Sequence, residues 1–146
     1  MTTSIHRRVD LLRAGRDASF VARLASGWAV LGSPQVLPGY CLLLPDPVVP
    51  TLNALAGAQR IAFLADMAAL GDAVLAVTGA VRINYAVFGN LDPALHAHVI
   101  PRYQDEPESL RTAQPWAYDW NAAPAFDPEQ HRDLCNRIHA ALARIA

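Results

Sequence analysis

The segment Asn90-Leu91-Asp92-Pro93-Ala94-Leu95-His96-Ala97-His98-Val99-Ile100-Pro101-Arg102 decides how this chain is read. Leu95 to Ile100 is short and apolar apart from two histidines, and it is bracketed by Pro93 and Pro101, as a strand would be. In extended backbone, residues two apart share a face. His96 and His98 therefore project together with Ala94, while Leu95, Ala97 and Val99 point the other way, into a core. Strand rise sets the two histidine Cα atoms about 7 Å apart. Two imidazoles so placed form a small polar patch on a rigid support, spaced to suit two neighbouring phosphates.

Upstream of this segment, Val81 to Phe88 reads as a second strand, with Val81, Ile83, Tyr85 and Val87 on one face. Gly89 to Pro93 is the turn that joins it to the histidines. Before it, Phe63, Met67, Leu70, Val74 and Val77 step by three and four, the spacing of one buried helical face, so Ala58 to Val77 is predicted as a long helix stopped by Gly79. Trp28 to Leu31 and Tyr40 to Leu44 read as a further pair of strands around a proline-rich turn. Phe20, Val21 and Leu24 give a partial helical stripe, which predicts one or two short helices between Val9 and Ala25. Downstream, Gln104 to Pro124 is polar and proline-broken, and is expected to be an ordered loop packing Trp116, Tyr118 and Trp120. Asp127, Pro128 and Gln130 mark the start of a last helix, with Leu134, Ile138, Ala141 and Ile145 as its stripe. Elements in the order ββαββα predict an α+β domain, a helix-backed antiparallel sheet.

At 146 residues the chain is expected to form one domain, 1–146, with a helical segment at 1–26, a core at about 28–102, and a terminal loop and helix at 103–146. Hydrophobic residues at 53% and charged residues at 17% fit a compact core. A net charge of −1 gives no reason to expect binding along a nucleic-acid backbone, so any nucleotide must be held by a local site. No apolar run is expected to approach the ~20 residues of a membrane span, and residues 1–10 do not read as a signal peptide. Cys41 and Cys135 form no CxxC pair and are expected as two buried thiols of a cytoplasmic protein.

Taken together, these segments resemble the histidine-triad superfamily. Its motif is His-φ-His-φ-His-φ-φ, where φ is apolar, with flanking proline and Pro-Arg; here Pro93, His96, His98, Pro101 and Arg102 fall in place. Ile83 to Asn90 is similar to the strand and glycine turn that precede the motif. Leu37-Pro38-Gly39-Tyr40-Cys41-Leu42-Leu43-Leu44-Pro45 is similar to the family's other recurring strand. The resemblance covers about residues 28–102 and is nearest to the diadenosine-tetraphosphate-hydrolase type. It implies a five-stranded antiparallel sheet with a long helix and a C-terminal helix, a homodimer, and a nucleotide as the small-molecule partner, with neither nucleic acid nor membrane. It implies hydrolysis or transfer at an α-phosphate, with His96 and His98 as catalytic residues, His96 being the nucleophile that forms a nucleotidyl-histidine, and with His98, Asn90 and Arg102 as phosphate contacts. It implies no resident cofactor and no metal site; a divalent metal would arrive on the substrate. The first triad histidine is replaced by Ala94, so the alternative is a nucleotide-binding module with little turnover.

The chemistry of the residues agrees with these roles. An unperturbed imidazole has a pKa of about 6.5 and is largely neutral, hence nucleophilic, at pH 7. Covalent catalysis divides a phosphoryl-type displacement into two easier steps, and oxygen donors and in-line placement supply most of the rest. Other polar candidates read more plainly. Asn84 is an ordinary strand residue, His139 sits beside the stripe of the last helix, and His6 and His131 lack context. A His-x-His pair can also hold a metal, but no third ligand follows at short spacing.

Overall fold

The computed structural model describes residues 2–145. Five strands form one antiparallel sheet: β1 (Phe20–Arg23), β2 (Gly27–Leu31), β3 (Cys41–Pro45), β4 (Arg82–Ala86) and β5 (Ala97–Arg102). Their order across the sheet is β1-β2-β3-β5-β4. The helices are α1 (Ser4–Arg13), α2 (Gly57–Thr78), the single turn α3 (Glu108–Arg111) and α4 (Pro128–Ile145). This is the α+β architecture read from the sequence.

Each face of the sheet is covered differently, because strand side chains alternate. Ala29, Leu31, Cys41, Leu43, Ala97 and Val99 face α2 and α4, whose Phe63, Leu70, Val74, Ile138 and Leu142 are fully buried against them. Val30, Leu42, Leu44 and Ile100 face the other way and are covered by Ile5, Val9 and Leu12 of α1. The spacing within α1 explains its place: three apolar residues at steps of four and three make one narrow stripe on an otherwise charged helix. Asp127 accepts from the backbone N–H of Glu129 and Gln130 and caps α4 as expected.

Four expectations need correction. The stripe at Phe20, Val21 and Leu24 is not helical. The first helix lies earlier, at Ser4–Arg13, and Phe20–Arg23 is an edge strand pairing Phe20 with Val30 and Arg23 with Trp28. A register shift between Phe20 and Ala22 buries both Val21 and Ala22, which imitates a helical pattern in the sequence. The order ββαββα therefore omits one strand and α1. Second, α2 is long and apolar enough to cross a membrane by length and composition, although Arg60, Asp66 and Asp72 interrupt it; here one of its faces packs on the sheet. Third, β5 starts at Ala97 rather than Leu95 and runs through Pro101. Pairing with β3 ends at Cys41 opposite Val99, so Pro101 leaves no β3 carbonyl without a donor. Fourth, Ile145 is exposed, and Cys135 and Leu142 complete the buried stripe of α4 with Ile138 and Ala141. Cys41 and Cys135 are buried free thiols.

Candidate phosphate-binding site

The site is assembled by β5 and the turn that feeds it. Gly89 takes a positive φ of 76°, which the turn from β4 requires and which other residues adopt only with strain. Asp92 then anchors that turn. Its carboxylate accepts from the Ser4 hydroxyl and, at 3.3 Å, from the Ile5 N–H at the start of α1. Partial burial would raise its pKa, but the bonds from Ser4, Thr3 and the backbone of Ile5 and Ala94 outweigh this and hold it below the usual carboxylate range. Helix α1 thus pins the segment carrying the histidines.

His96 lies in the extended residues just before β5, and His98 lies within it, opposite Leu42 of β3 and Ala86 of β4. The two rings sit side by side, centroids 5.0 Å apart and planes at 70°. The Nδ1 of His96 is 2.8 Å from the carbonyl oxygen of Ala94. A carbonyl can only accept, so Nδ1 carries the hydrogen and Nε2 keeps the lone pair. This contact is made by the backbone of residue 94, so replacing a histidine side chain there by alanine leaves it intact. The Ala94 side chain itself is buried, within the apolar cluster that also holds Ile5, Val9, Tyr40 and Ile100, and it does not line the pocket.

His98 is enclosed by aromatic rings. Its Nδ1 is 2.7 Å from the Tyr40 hydroxyl, and the two rings are nearly parallel, at 11°. Trp116 meets it edge-on with ring centroids 5.5 Å apart, and Phe88 lies tilted against it at 6.2 Å. Trp116 in turn stacks on Trp120, whose ring meets Tyr40 edge-on at 5.4 Å. Burial, and then repulsion from His96, lower the His98 pKa from 6.5 to about 4, so this ring is neutral at pH 7.

His96, His98 and Asn90 line one open pocket of about 390 Å³, with Phe88, Leu91 and Trp116 as its apolar walls. A second cleft of about 410 Å³ also reaches His96, between Pro50–Asn53 and Pro93, and shares Phe88 and Gly89 with the first. His96 thus borders two clefts, so its ring is open to a ligand.

Arg102, expected beside the phosphate, is elsewhere. It is 6% exposed and faces Glu106, to which it donates through Nε at 3.2 Å and Nη2 at 2.9 Å. Its remaining hydrogens go to Asn84 Oδ1 and to the carbonyls of Ala113 and Leu110. All five donors of the guanidinium are used within the protein. A buried arginine needs a carboxylate, and Glu106, four residues downstream across the turn that follows β5, offers it; only the burial of both side chains in the fold marks them as a pair. Sequence context places Tyr40 in a strand and Trp120 in a packing loop and does not point to Tyr40, Phe88 or Trp120 as neighbours of the histidines. Tyr40 is 58 residues from His98 in the chain, and only the register of Leu42 with His98 makes them neighbours. Among the described residues no three histidine, cysteine or acidic side chains group as metal ligands would.

No family model and no curated protein matches the chain. Solved structures do. A histidine triad protein from Marinobacter aquaeolei VT8 superposes with a TM-score of 0.76 over 100% of both chains, at 21% identity. One from Sinorhizobium meliloti 1021 gives 0.70 over 92% of this chain and 94% of that one, at 22% identity. A hypothetical histidine triad nucleotide-binding protein from Sulfolobus tokodaii strain7 gives 0.73 over 93% and 91%, at 14% identity. Identities this low speak for backbone architecture, and the conclusion they carry is that this chain has the fold of the histidine triad proteins.

Proposed function

We propose that this protein binds a nucleotide by its phosphates and cleaves it at the α-phosphorus. The Nε2 of His96 attacks, an N–P bond forms, and the bond from phosphorus to the leaving group breaks as that group takes up a proton. Water then displaces the imidazole, which returns unchanged with release of a nucleoside monophosphate. The substrate class is a dinucleoside polyphosphate or a nucleoside phosphoramidate. His98 and Asn90 donate to phosphate oxygens. The observation that carries this reading is the Nδ1 contact of His96 with the Ala94 carbonyl at 2.8 Å, which leaves the other nitrogen as a nucleophile in an open pocket.

The experiment is incubation with diadenosine tetraphosphate and with a fluorogenic AMP phosphoramidate, followed by mass spectrometry of the rapidly quenched protein. Product release and a nucleotidyl adduct on His96 are expected, and both vanish in His96→Ala. Tight binding with neither release nor adduct would instead establish a binding module, a reading that the buried Ala94 side chain favours, because nothing but backbone from residue 94 serves the pair. The pocket would then be a receptor for the nucleotide.

We also propose that two copies associate through α2 and the free edge of the sheet at β4. Ile61 and Leu64 of α2 and Val81, Tyr85 and Val87 at β4 are exposed apolar side chains. A second copy would remove them from water.

A further inference from the structure

We propose that Tyr40 is a positioning residue for the site: its hydroxyl donates to Nδ1 of His98 and so keeps the proton of that imidazole on Nε2, the nitrogen left for a phosphate oxygen. The inference rests on the reading of His98 as a phosphate contact. It starts from the 2.7 Å contact between the Tyr40 oxygen and His98 Nδ1. Either group can donate in such a pair. The surroundings choose between them. Tyr40 is 3% exposed, and among the described residues its hydroxyl meets no other hydrogen-bond partner. Were Nδ1 the donor, the hydroxyl hydrogen would be buried with no acceptor, an unfavourable state. With the hydroxyl donating, both groups are satisfied and Nε2–H is free. Burial also raises the Tyr40 pKa, so the phenol keeps its proton, and the depressed pKa of His98 keeps that ring neutral with a single N–H.

The aim of the hydroxyl is held by packing. A Cβ on Gly32 would lie 2.3 Å from the Tyr40 ring, so the ring rests directly against the glycine backbone. Trp120 closes on it from another side. Residue 32 has to be glycine for the ring to lie there, and the parallel stacking with His98 follows from that seat. His98 is thereby an uncharged donor whose proton location does not depend on substrate. This arrangement suits a site in which His98 holds a phosphate oxygen while His96 attacks.

The test is a two-bond proton–nitrogen correlation spectrum of the full-length, ¹⁵N-labelled protein at pH 7 without ligand. The expected spectrum shows His98 with Nδ1 bare and Nε2 protonated. Tyr40→Phe keeps the ring and removes only the hydroxyl, and it should move His98 to the averaged pattern of mixed tautomers while His96 retains its own. A wild-type spectrum with His98 protonated on Nδ1 overturns the proposal, and so does an unchanged His98 pattern in the variant. The wild-type spectrum decides even should the variant not fold. In turnover, Tyr40→Phe is expected to lose roughly fivefold to tenfold in kcat with KM little changed, less than the hundredfold or more that follows outright removal of a donor. Failure of the nucleotidyl adduct to form would remove the proposed reaction but leave the tautomer result standing; an adduct with the wrong tautomer would do the reverse.

Discussion

Replacing Glu106 by glutamine is the sharpest test of how this fold holds its site. The carboxylate accepts from Arg102 Nε and Nη2, from the Tyr118 hydroxyl at 2.7 Å and from the Tyr103 N–H at 2.6 Å. Both ion-pair side chains are buried, at 8% and 3% exposure. Glutamine keeps the shape but removes the charge and replaces one acceptor by an NH2 group facing donors. Arg102 is left as an uncompensated buried cation, which costs about 3–5 kcal/mol. A chain of this length has a stability of roughly 7–20 kcal/mol by the usual per-residue range. With a urea m-value of about 2 kcal/mol/M, the unfolding midpoint should fall by about 1.5–2.5 M at unchanged m. Tryptophan fluorescence reports it directly, because Trp116 and Trp120 sit in the loop the pair secures. The paired apolar replacement Arg102→Met with Glu106→Met should lose much less than the single change, since it buries no charge. A midpoint shift below about 0.5 M for Glu106→Gln would refute the reasoning, for then the buried pair carries no more than a surface one. The pH dependence has a definite sign. Burial would raise the Glu106 pKa, but the bonds from Arg102, Tyr118 and Tyr103 reverse this and leave it below its ordinary 4.5. The contribution of the pair is thus full above that value and is lost as pH falls through the lower, folded one.

Further outcomes are equally definite. Ala94→His should lower the melting temperature, at a cost of about 1–3 kcal/mol from overpacking, and should leave turnover unimproved, because the alanine side chain is buried in the apolar cluster that covers this face of the sheet; a tenfold gain in kcat would count against this packing. Asp92→Ala should cost about 1 kcal/mol by removing an anion from the start of α1, measured by thermal unfolding, and should weaken nucleotide binding through a looser turn; unchanged binding would separate the anchor from the site. His98 has a folded pKa of about 4 against 6.5 unfolded, so the unfolded chain binds the extra proton between them and stability should fall as pH drops through that window; in His98→Asn that part of the acid sensitivity should disappear from urea titrations. Ile61→Glu combined with Leu64→Glu should give a monomer by sedimentation while helix content is kept, if the exposed apolar face of α2 is a contact between copies.

What the linear chain settles by itself follows from short-range rules. Period-two alternation at Leu95 to Val99 places two imidazoles on one side and three apolar residues on the other, whatever surrounds them. Steps of three and four from Phe63 to Val77 require a helix with one buried face. Capping chemistry at Asp127 and the stop at Gly79 come from backbone groups within a few residues. Other features depended on partners far along the chain. Phe20–Arg23 extends because β2 offers a pairing edge, which overrides a weak helical pattern. Arg102 turns away from the histidine pocket because a buried guanidinium needs acceptors for all its donors, and beyond the nearby Glu106 these come from Asn84 of β4 and the carbonyls of Leu110 and Ala113. Tyr40 reaches His98 only once β3 and β5 are in register. Local sequence fixes which way a side chain points; what it meets there is decided by the rest of the fold, because burial makes each polar group seek a partner from any distance in the chain.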